Sequence, residues 1–600
     1  MIPEVELLRR YEPIVRYTQG EMFLPCPVER YVERCSLWLR LPGEPARELV
    51  PAGQLTLDSL VKHATDPRQR ALSMRFVERP LQGLEYQRWK PGRPPFKGVG
   101  RLARVGLGPR LLDAMFSLSL FLRGRVPGGT TAAAAVEYAD IAQADERYPY
   151  YGRVVHAQGY IVLQYLFFYA MNDWRSSFSG VNDHEADWEQ VFVYLEEGGD
   201  GEPRPLWLAC AAHDYSGADL RRRWDDPDLT IAGEHPVIFA GAGSHAAYFQ
   251  PGEYLTAVEV TFLRPLLRAV RGFRRVWVEV LGQGDPARLM QDVESLIRVP
   301  FVDYARGDGP CVGPDQPREW SPELIDDSVG WVREYPGLWG LDTEDIFAGE
   351  LAPAGPRFDR SGAVRQSWYD PLGWAGLSTV APPSQVAATI QQRIDELAAK
   401  LRATNRATSA LAETATKLDL QVRAVLHTAR TAEARATESR LTAVTARLDA
   451  LRAREQEMER TIEQMARFRC EVEAGDPGDP KAHLHNVRGP EPPQAARQSK
   501  VAELWAAVSV GLFMMAAAVL IMLDPGNVGS VLLLLVAGIV FVDSILRRTI
   551  IGLLLNFTVC LAALTAVVLI VEFAWQLAIV CMGAVGLVVL LDNVHKLRAR

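Results

Sequence analysis

The sequence predicts a multidomain membrane protein. It has a β-rich, β-sandwich-like N-terminal domain with helical insertions, then a long α-helical coiled coil, then a C-terminal bundle of four transmembrane helices. Three observations carry this reading. Short apolar runs bounded by Gly, Asp and Pro fill about residues 1–380. The stretch from Ser384 to Arg469 contains neither Pro nor Gly. Four apolar segments of near-spanning length occupy 501–600.

At 600 residues the chain exceeds one ordinary domain, and roughly 150 residues per domain implies two to four. The formal net charge of -8 argues against nucleic acid as a partner, because phosphate binders need a basic surface. The seven cysteines, Cys26, Cys35, Cys210, Cys311, Cys470, Cys560 and Cys581, are odd in number and never spaced C-x-x-C. They read as free thiols in a reducing compartment. Met1–Leu24 carries Glu4, Glu6, Arg9, Arg10 and Glu12 among its apolar residues, which is not the pattern expected of a signal peptide.

Within the first domain, Gly159–Tyr169, Trp188–Leu195, Leu206–Ala211 and Pro236–Ala240 are rich in Val, Ile, Leu, Phe and Tyr and read as strands. Further strands are expected near Ala257–Phe262 and Val276–Leu281, and a helix near Pro286–Ile297. Leu111–Leu122 is apolar and flanked by Arg104, Arg110, Arg123 and Arg125. It is too short to span a bilayer and reads as a buried helix, with a membrane-surface helix as the alternative.

From Ser384 to Arg469, apolar residues recur at steps of three and four. Ile390, Ile394, Leu397 and Leu401 begin one block and Leu441, Val444, Leu448 and Leu451 another. This is a heptad seam, placing the coiled coil at 384–470. One continuous helix here would reach on the order of 130 Å. Self-association of such a helix into a homo-oligomer is the favoured expectation, and a folded-back hairpin is the alternative. Residues 471–500 follow as a flexible linker, with five Pro and three Gly between Glu473 and Ser499.

The expected spans are about 504–523, 528–545, 549–571 and 574–591. Basic residues lie before the first (Arg497, Lys500), between the second and third (Arg547, Arg548), and after the fourth (Lys596, Arg598, Arg600). Four spans with both termini in the cytoplasm place all of these on one side. The lipid bilayer is thus an expected partner. The spans carry little ionisable content at depth, so they read as an anchor rather than a conduit.

The densest polar cluster in the soluble domain is Asn182-Asp183-His184-Glu185-Ala186-Asp187-Trp188-Glu189. It enters a strand, where alternate residues share a face, so Asp187 and Glu189 point the same way as Val191 and Val193. Two carboxylates at the mouth of an apolar face are costly unless neutralised. A divalent cation does this, with His184 adding a nitrogen. Mg²⁺, Ca²⁺ or Mn²⁺ suits such a set, with Zn²⁺ a further candidate. Asn172-Asp173-Trp174, His213-Asp214 and Gly243-Ser244-His245 each follow an apolar run and are expected at the same rim. His213 and His245 are the candidate general bases. No nucleophile-elbow, zincin or phosphate-loop pattern names a reaction.

His184-x-x-Asp187-Trp188-Glu189 resembles the heptapeptide core of the necrosis- and ethylene-inducing-like proteins. In that family the matching histidine, aspartate and glutamate help hold a divalent metal on a β-sandwich. An aspartate ending the upstream strand completes the set, and Asp173 is its match here. Glu185-Ala186 stands where that family has Arg-His, and Asp183 where it has Gly. The wider pattern resembles the vacuolar-protein-sorting 62-like family over about residues 10–375. Its features appear here as Tyr11-Glu12-Pro13, Glu21 and Phe23 to Pro25, Phe167-Phe168-Tyr169, and Asn172-Asp173-Trp174. They continue in His184 to Glu189, His213, Gly243-Ser244-His245-Ala246, Tyr248, Phe249, Trp339-Gly340, Gly355-Pro356 and Trp368-Tyr369-Asp370-Pro371. The resemblance implies a fold and a site more than a reaction. The functional expectation is a membrane-anchored, metal-supported β-sandwich that binds a polar ligand: a glycan, a lipid headgroup or a protein. A metal-dependent hydrolase and a non-catalytic scaffold oligomerised by its coiled coil are the alternatives.

Overall fold

A computed structural model describes residues 2–64, 71–94, 110, 128–173, 183–197, 202–212, 217–259, 298–341, 352–426, 431–474, 478–485, 489–490, 500–523, 525–546, 550, 551, 554, 565, 568 and 572–598. The chain divides into two units, Met1–Gly98 with Phe116–Glu491, and Val99–Met115 with Pro492–Arg600. The first is rich in β-sheet and ends in two long helices. The second contains long apolar helices.

A six-stranded sheet dominates the first unit. Its order is β16 (Trp320–Leu324), β5 (Tyr148–Ala157), β6 (Tyr160–Asn172), β7 (His184–Glu197), β8 (Pro203–Cys210) and β9 (Arg221–Arg223). Strands β5 to β9 are antiparallel, while β16 joins β5 in parallel. Gln158 and Gly159 close the β5–β6 hairpin with φ of 50° and 82°, the doubly left-handed turn that matches strand twist.

Strand β6 is an almost unbroken apolar run because both of its faces are covered, and all of its residues are buried. Ile161, Leu163, Tyr165, Phe167 and Tyr169 join Val191, Val193 and Leu195 of β7 in one core. A second sheet closes that core, with Val15, Ile238, Ala240, Ala247 and Val312. Its order is β10 (Thr230–Ala232), β11 (His235–Ala240), β1 (Ile14–Arg16) and β15 (Cys311–Val312), with β12 (Ala247–Tyr248) added to β11. The opposite face of the six-stranded sheet is covered in two parts. Phe168, Ala170 and Trp188 pack with β2 (Ser36–Leu39), β4 (Leu72–Arg75) and the helices Val28–Arg34 and Gly129–Ala144. Tyr160, Val162, Phe192 and Tyr194 pack under Leu372, Ala375 and Leu377. Strand β3 (Arg47–Val50) flanks β2, and β13 (Gly252–Glu259) pairs with β14 (Arg298–Ala305). The expected strand Val276–Leu281 and helix Pro286–Ile297 lie outside the described residues. So does the Leu111–Leu122 segment.

The expectation of one continuous helix is corrected. Two helices, Pro383–Leu426 and Thr431–Glu473, pack against each other. Arg469 hydrogen-bonds Gln391 near one end, and Thr408 hydrogen-bonds Glu455 further along, a pairing that runs antiparallel. Leu448 and Met458 are buried in this arrangement. The two blocks of the seam are out of phase as one strip but can face each other, and pairing within one chain avoids the entropy cost of association. Beyond the hairpin, part of the Pro-rich stretch returns to the edge of the six-stranded sheet. Lys481 pairs with Asp228, the His483 ring meets Trp207 edge-on, and the His485 amide donates to Asp219 Oδ1 at 2.9 Å.

Among the described residues of the second unit, two helices are long and apolar enough to cross a membrane, within Gly529–Leu546 and Ala574–Lys596. A shorter apolar stretch, Val508–Leu520, lies within the helix Lys500–Leu523. Their side chains are widely exposed, Leu533 at 72% and Val588 at 65%, far beyond the apolar patches of a soluble surface. The third expected span lies mostly outside the described residues. Arg110 is buried in this unit, where it pairs with Asp543 and donates to Ser509 Oγ at 2.9 Å.

Candidate functional site

The site forms where β6 and β7 end together. Asn172 pairs with His184 and Tyr169 with Asp187 across the two strands. Strict alternation from Asp187 would send His184 to the far face. Ala186 prevents this with a left-handed φ of 58°, a conformation that costs free energy outside glycine. Glu185 turns instead toward the N-terminal sheet. There its carboxylate accepts the amides of Phe76, Val77 and Leu341 at 2.9–3.0 Å, and burial raises its pKa to about 7 despite those bonds. Gly340 lies flat against Glu185, where a Cβ would come within 2.7 Å of its carbonyl oxygen. Glu185 is therefore a structural clamp.

His184, Asp187 and Glu189 line one cleft of about 560 Å³. Asn172, Trp188, Gln190, Ala246, Asp359, Arg360, Ser361 and Arg365 complete much of its wall. The His184 Nδ1 lies 2.8 Å from the Ala186 carbonyl oxygen, so Nδ1 is the donor in that contact. This backbone contact is the usual way a ligating imidazole is oriented. Asp187 Oδ2 accepts from Asn172 Nδ2 at 3.2 Å and from His245 Nδ1 at 2.9 Å.

His245 stands behind Asp187, fully buried, rather than on the cleft wall. Its ring stacks on Tyr169 at 3.8 Å, and Nε2 lies 3.7 Å from Glu21 Oε1. Burial pulls its pKa down, but Asp187 and Glu21 outweigh this and raise it to about 9. Glu21 accepts the Gly243 amide, and the Gly243 carbonyl accepts the Asp173 amide, so the 241–246 loop is tied to the end of β6. His213 lies outside the described residues.

Asp173, expected as the fourth ligand, is not on the cleft wall. Its carboxylate pairs with Arg93 at 3.2 Å. Its neighbour Asn172 is on the wall, buried, with Oδ1 lacking any hydrogen-bond partner. A buried amide oxygen left without a donor is costly and fits a hard cation. The donor set of imidazole, two carboxylates and an amide oxygen suits a divalent ion in chemistry. As placed, no three His, Cys, Asp or Glu side chains among the described residues stand close enough to hold one.

Asp359, Arg360, Ser361 and Arg365 were not singled out by the sequence reading. They lie on a small β-turn bridged between Phe358 and Val364. Asp359 Oδ1 accepts from the Ser361 and Ala363 amides and the Ser361 hydroxyl, bonds that hold its pKa below the ordinary value. Arg365 donates through Nε to the Phe358 carbonyl, and burial together with Arg360 lowers its pKa to about 10. Asp359-Arg360-Ser361-Gly362 is a recognisable turn sequence, but nothing local ties it to a strand 170 residues earlier.

No protein-family model and no curated protein matches the chain. Among solved structures, one titled "Crystal structure of non-toxic HaNLP3 protein" matches at 22% identity and a TM-score of 0.13. The match covers 15% of this chain and 39% of that one.

Proposed function

We propose that the chain is a membrane-anchored binding protein whose β-rich domain holds a divalent cation in this cleft and uses it to bind a polar ligand. The observation that carries the reading is the convergence of His184, Asp187 and Glu189 on one cleft with the unpartnered Asn172 Oδ1. His184 Nε2, Asp187, Glu189 and Asn172 Oδ1 are the proposed ligands, and His245 is the positioning residue behind Asp187. The bound ion supplies charge to hold the ligand. Support for the anchor comes from the exposed apolar helices. The distribution of Arg and Lys supports four spans with both termini cytoplasmic.

The test uses the full-length protein in phosphatidylcholine nanodiscs. Titration calorimetry with Mn²⁺, together with metal analysis after dialysis, is expected to show binding in wild type that is lost in His184→Ala and Asp187→Ala. If all three carry equal, negligible metal and melt alike with and without chelator, the reading fails.

A further inference from the structure

A short helix of the first unit, Gly83–Trp89, presents an exposed face of mixed chemistry. Its inner side is set by Tyr86, which is buried, stands 6.0 Å from the Trp89 ring and lies against Gly128. Leu84 and Arg88 are four residues apart and so share a helix face, the one turned away from Tyr86. Leu84 is 74% exposed, more than any other large apolar side chain described in this unit. Arg88 is exposed, as is Lys90 in the short turn Lys90–Gly92 that follows. Among the described residues neither has a carboxylate ion-paired to it. Glu85, on the same helix, is held by Arg79 at 2.8 Å.

Charge and connectivity decide what such a face can meet. Over 79–110 the sequence has eight Arg or Lys and a single acidic residue, Glu85, in a chain whose net charge is -8. So much of one sign in a chain of the other draws that stretch to an anionic surface. The same stretch leads into the apolar unit. Trp89 is nine positions before Gly98, and the second unit begins at Val99. There Arg110 pairs with Asp543 and donates to Ser509 Oγ. Ser509 lies in the half of its helix nearer Lys500, and Asp543 is four positions before Arg547. Arg110 thus sits toward the basic ends of both helices. Basic ends face the cytoplasm, and the cytoplasmic leaflet is the one that carries anionic lipid. We propose that the helix Gly83–Trp89 and the turn Lys90–Gly92 dock on anionic phospholipid, with Arg88 and Lys90 on the headgroups and Leu84 at the acyl boundary. This rests on the membrane anchor read above. Exposed faces that join basic and apolar side chains lie in the interface in this way. Arg93, just beyond the turn, pairs with Asp173 at 3.2 Å, next to the cleft residue Asn172. The docking element is therefore fastened to the strand end that bears the cleft.

The experiment measures amide hydrogen exchange over residues 84–93 of the full-length protein. Nanodiscs of phosphatidylcholine alone are compared with discs of an equal mixture of phosphatidylcholine and phosphatidylserine. Each basic residue near an anionic surface favours docking about fivefold. Exchange in wild type is therefore expected to be slower in the mixed discs by about fivefold or more. The slowing should vanish in the double variant Arg88→Gln with Lys90→Gln and shrink in Leu84→Ser. Every form is compared with itself in the two discs, so a change in helix stability alone does not mimic the result. Equal exchange of wild type in both discs, or equal slowing in wild type and the double variant, overturns the proposal. So does slowing by soluble polyglutamate without slowing by phosphatidylserine, which would assign the face to an acidic protein. Alkaline carbonate washing of phosphatidylcholine vesicles bearing the protein reads the anchor separately. If wild type is retained but its exchange does not respond to phosphatidylserine, only the docking inference fails. If wild type is washed off, the anchor reading fails and this inference with it.

Discussion

Glu12 is a carboxylate enclosed by the first sheet of the core, with Tyr150 Oη donating to it at 2.9 Å. Burial raises its pKa to about 7 from the ordinary carboxyl value of 4.5, although Tyr150 pulls the other way. The folded state therefore binds this proton more tightly than the unfolded chain. Between about pH 4.5 and 7 the native state holds more protons, so stability falls as pH rises through that window. The loss is at most on the order of 3 kcal/mol. Glu185, with its pKa raised to the same region, adds a slope of the same sign. Replacing Glu12 by Gln keeps an acceptor for Tyr150 and removes the titration. Denaturant unfolding of full-length protein in detergent should show Glu12→Gln gaining roughly 1–3 kcal/mol over wild type at pH 8 and little at pH 4.5. An equal difference at both pH values would refute burial as the cause.

At the scale of elements, the strands were legible and their joints were not. Tyr160–Asn172 and His184–Glu197 follow the apolar runs seen in the sequence, because side chains buried on both faces leave a continuous signal. The shared face of Asp187, Glu189, Val191 and Val193 follows from alternation alone. What alternation cannot reveal is one left-handed residue. Ala186 sends Glu185 away from the cleft, and no residue type marks that kink. The place of Asp173 off the cleft wall was hidden for a similar reason: its partner Arg93 lies 80 positions away, beyond any local pattern. The arginine-bearing turn was missed because its place in the cleft depends on the whole fold. In the apolar unit, Arg110 joins Ser509 and Asp543, which belong to different helices. Removing one member of a buried pair strands the other's charge and costs about 3–5 kcal/mol. Arg110→Ala and Asp543→Ala should each lower the melting temperature of this unit in nanodiscs, and the double variant should lose less than their sum. Additive losses would show that the two side chains do not act as a pair.

On the scale of the whole molecule, the long helices change what the chain's length means. Each of the two has more than 40 residues and runs about 65 Å at 1.5 Å per residue. Because they are antiparallel, with Gln391 beside Arg469 and Thr408 beside Glu455, they begin and end on the same body. Excising 409–454 and closing the gap with a short glycine-containing turn keeps both of these pairs. The sheet domain should melt at the same temperature in that shortened protein, and its Mn²⁺ titration should be unaltered. A lower melting temperature would mean that the outer helices brace the sheets.

A ruler folded double has length but spans nothing. The 91 positions from Pro383 to Glu473 carry the chain out and back to its starting point, so their number can change in matched pairs without displacing whatever precedes or follows. Such an arm is a projection whose reach is independent of the body that bears it. The facing helix ends carry exposed Arg423 and Ala432, positions where a label or an affinity handle can be grafted away from the cleft's supporting strands.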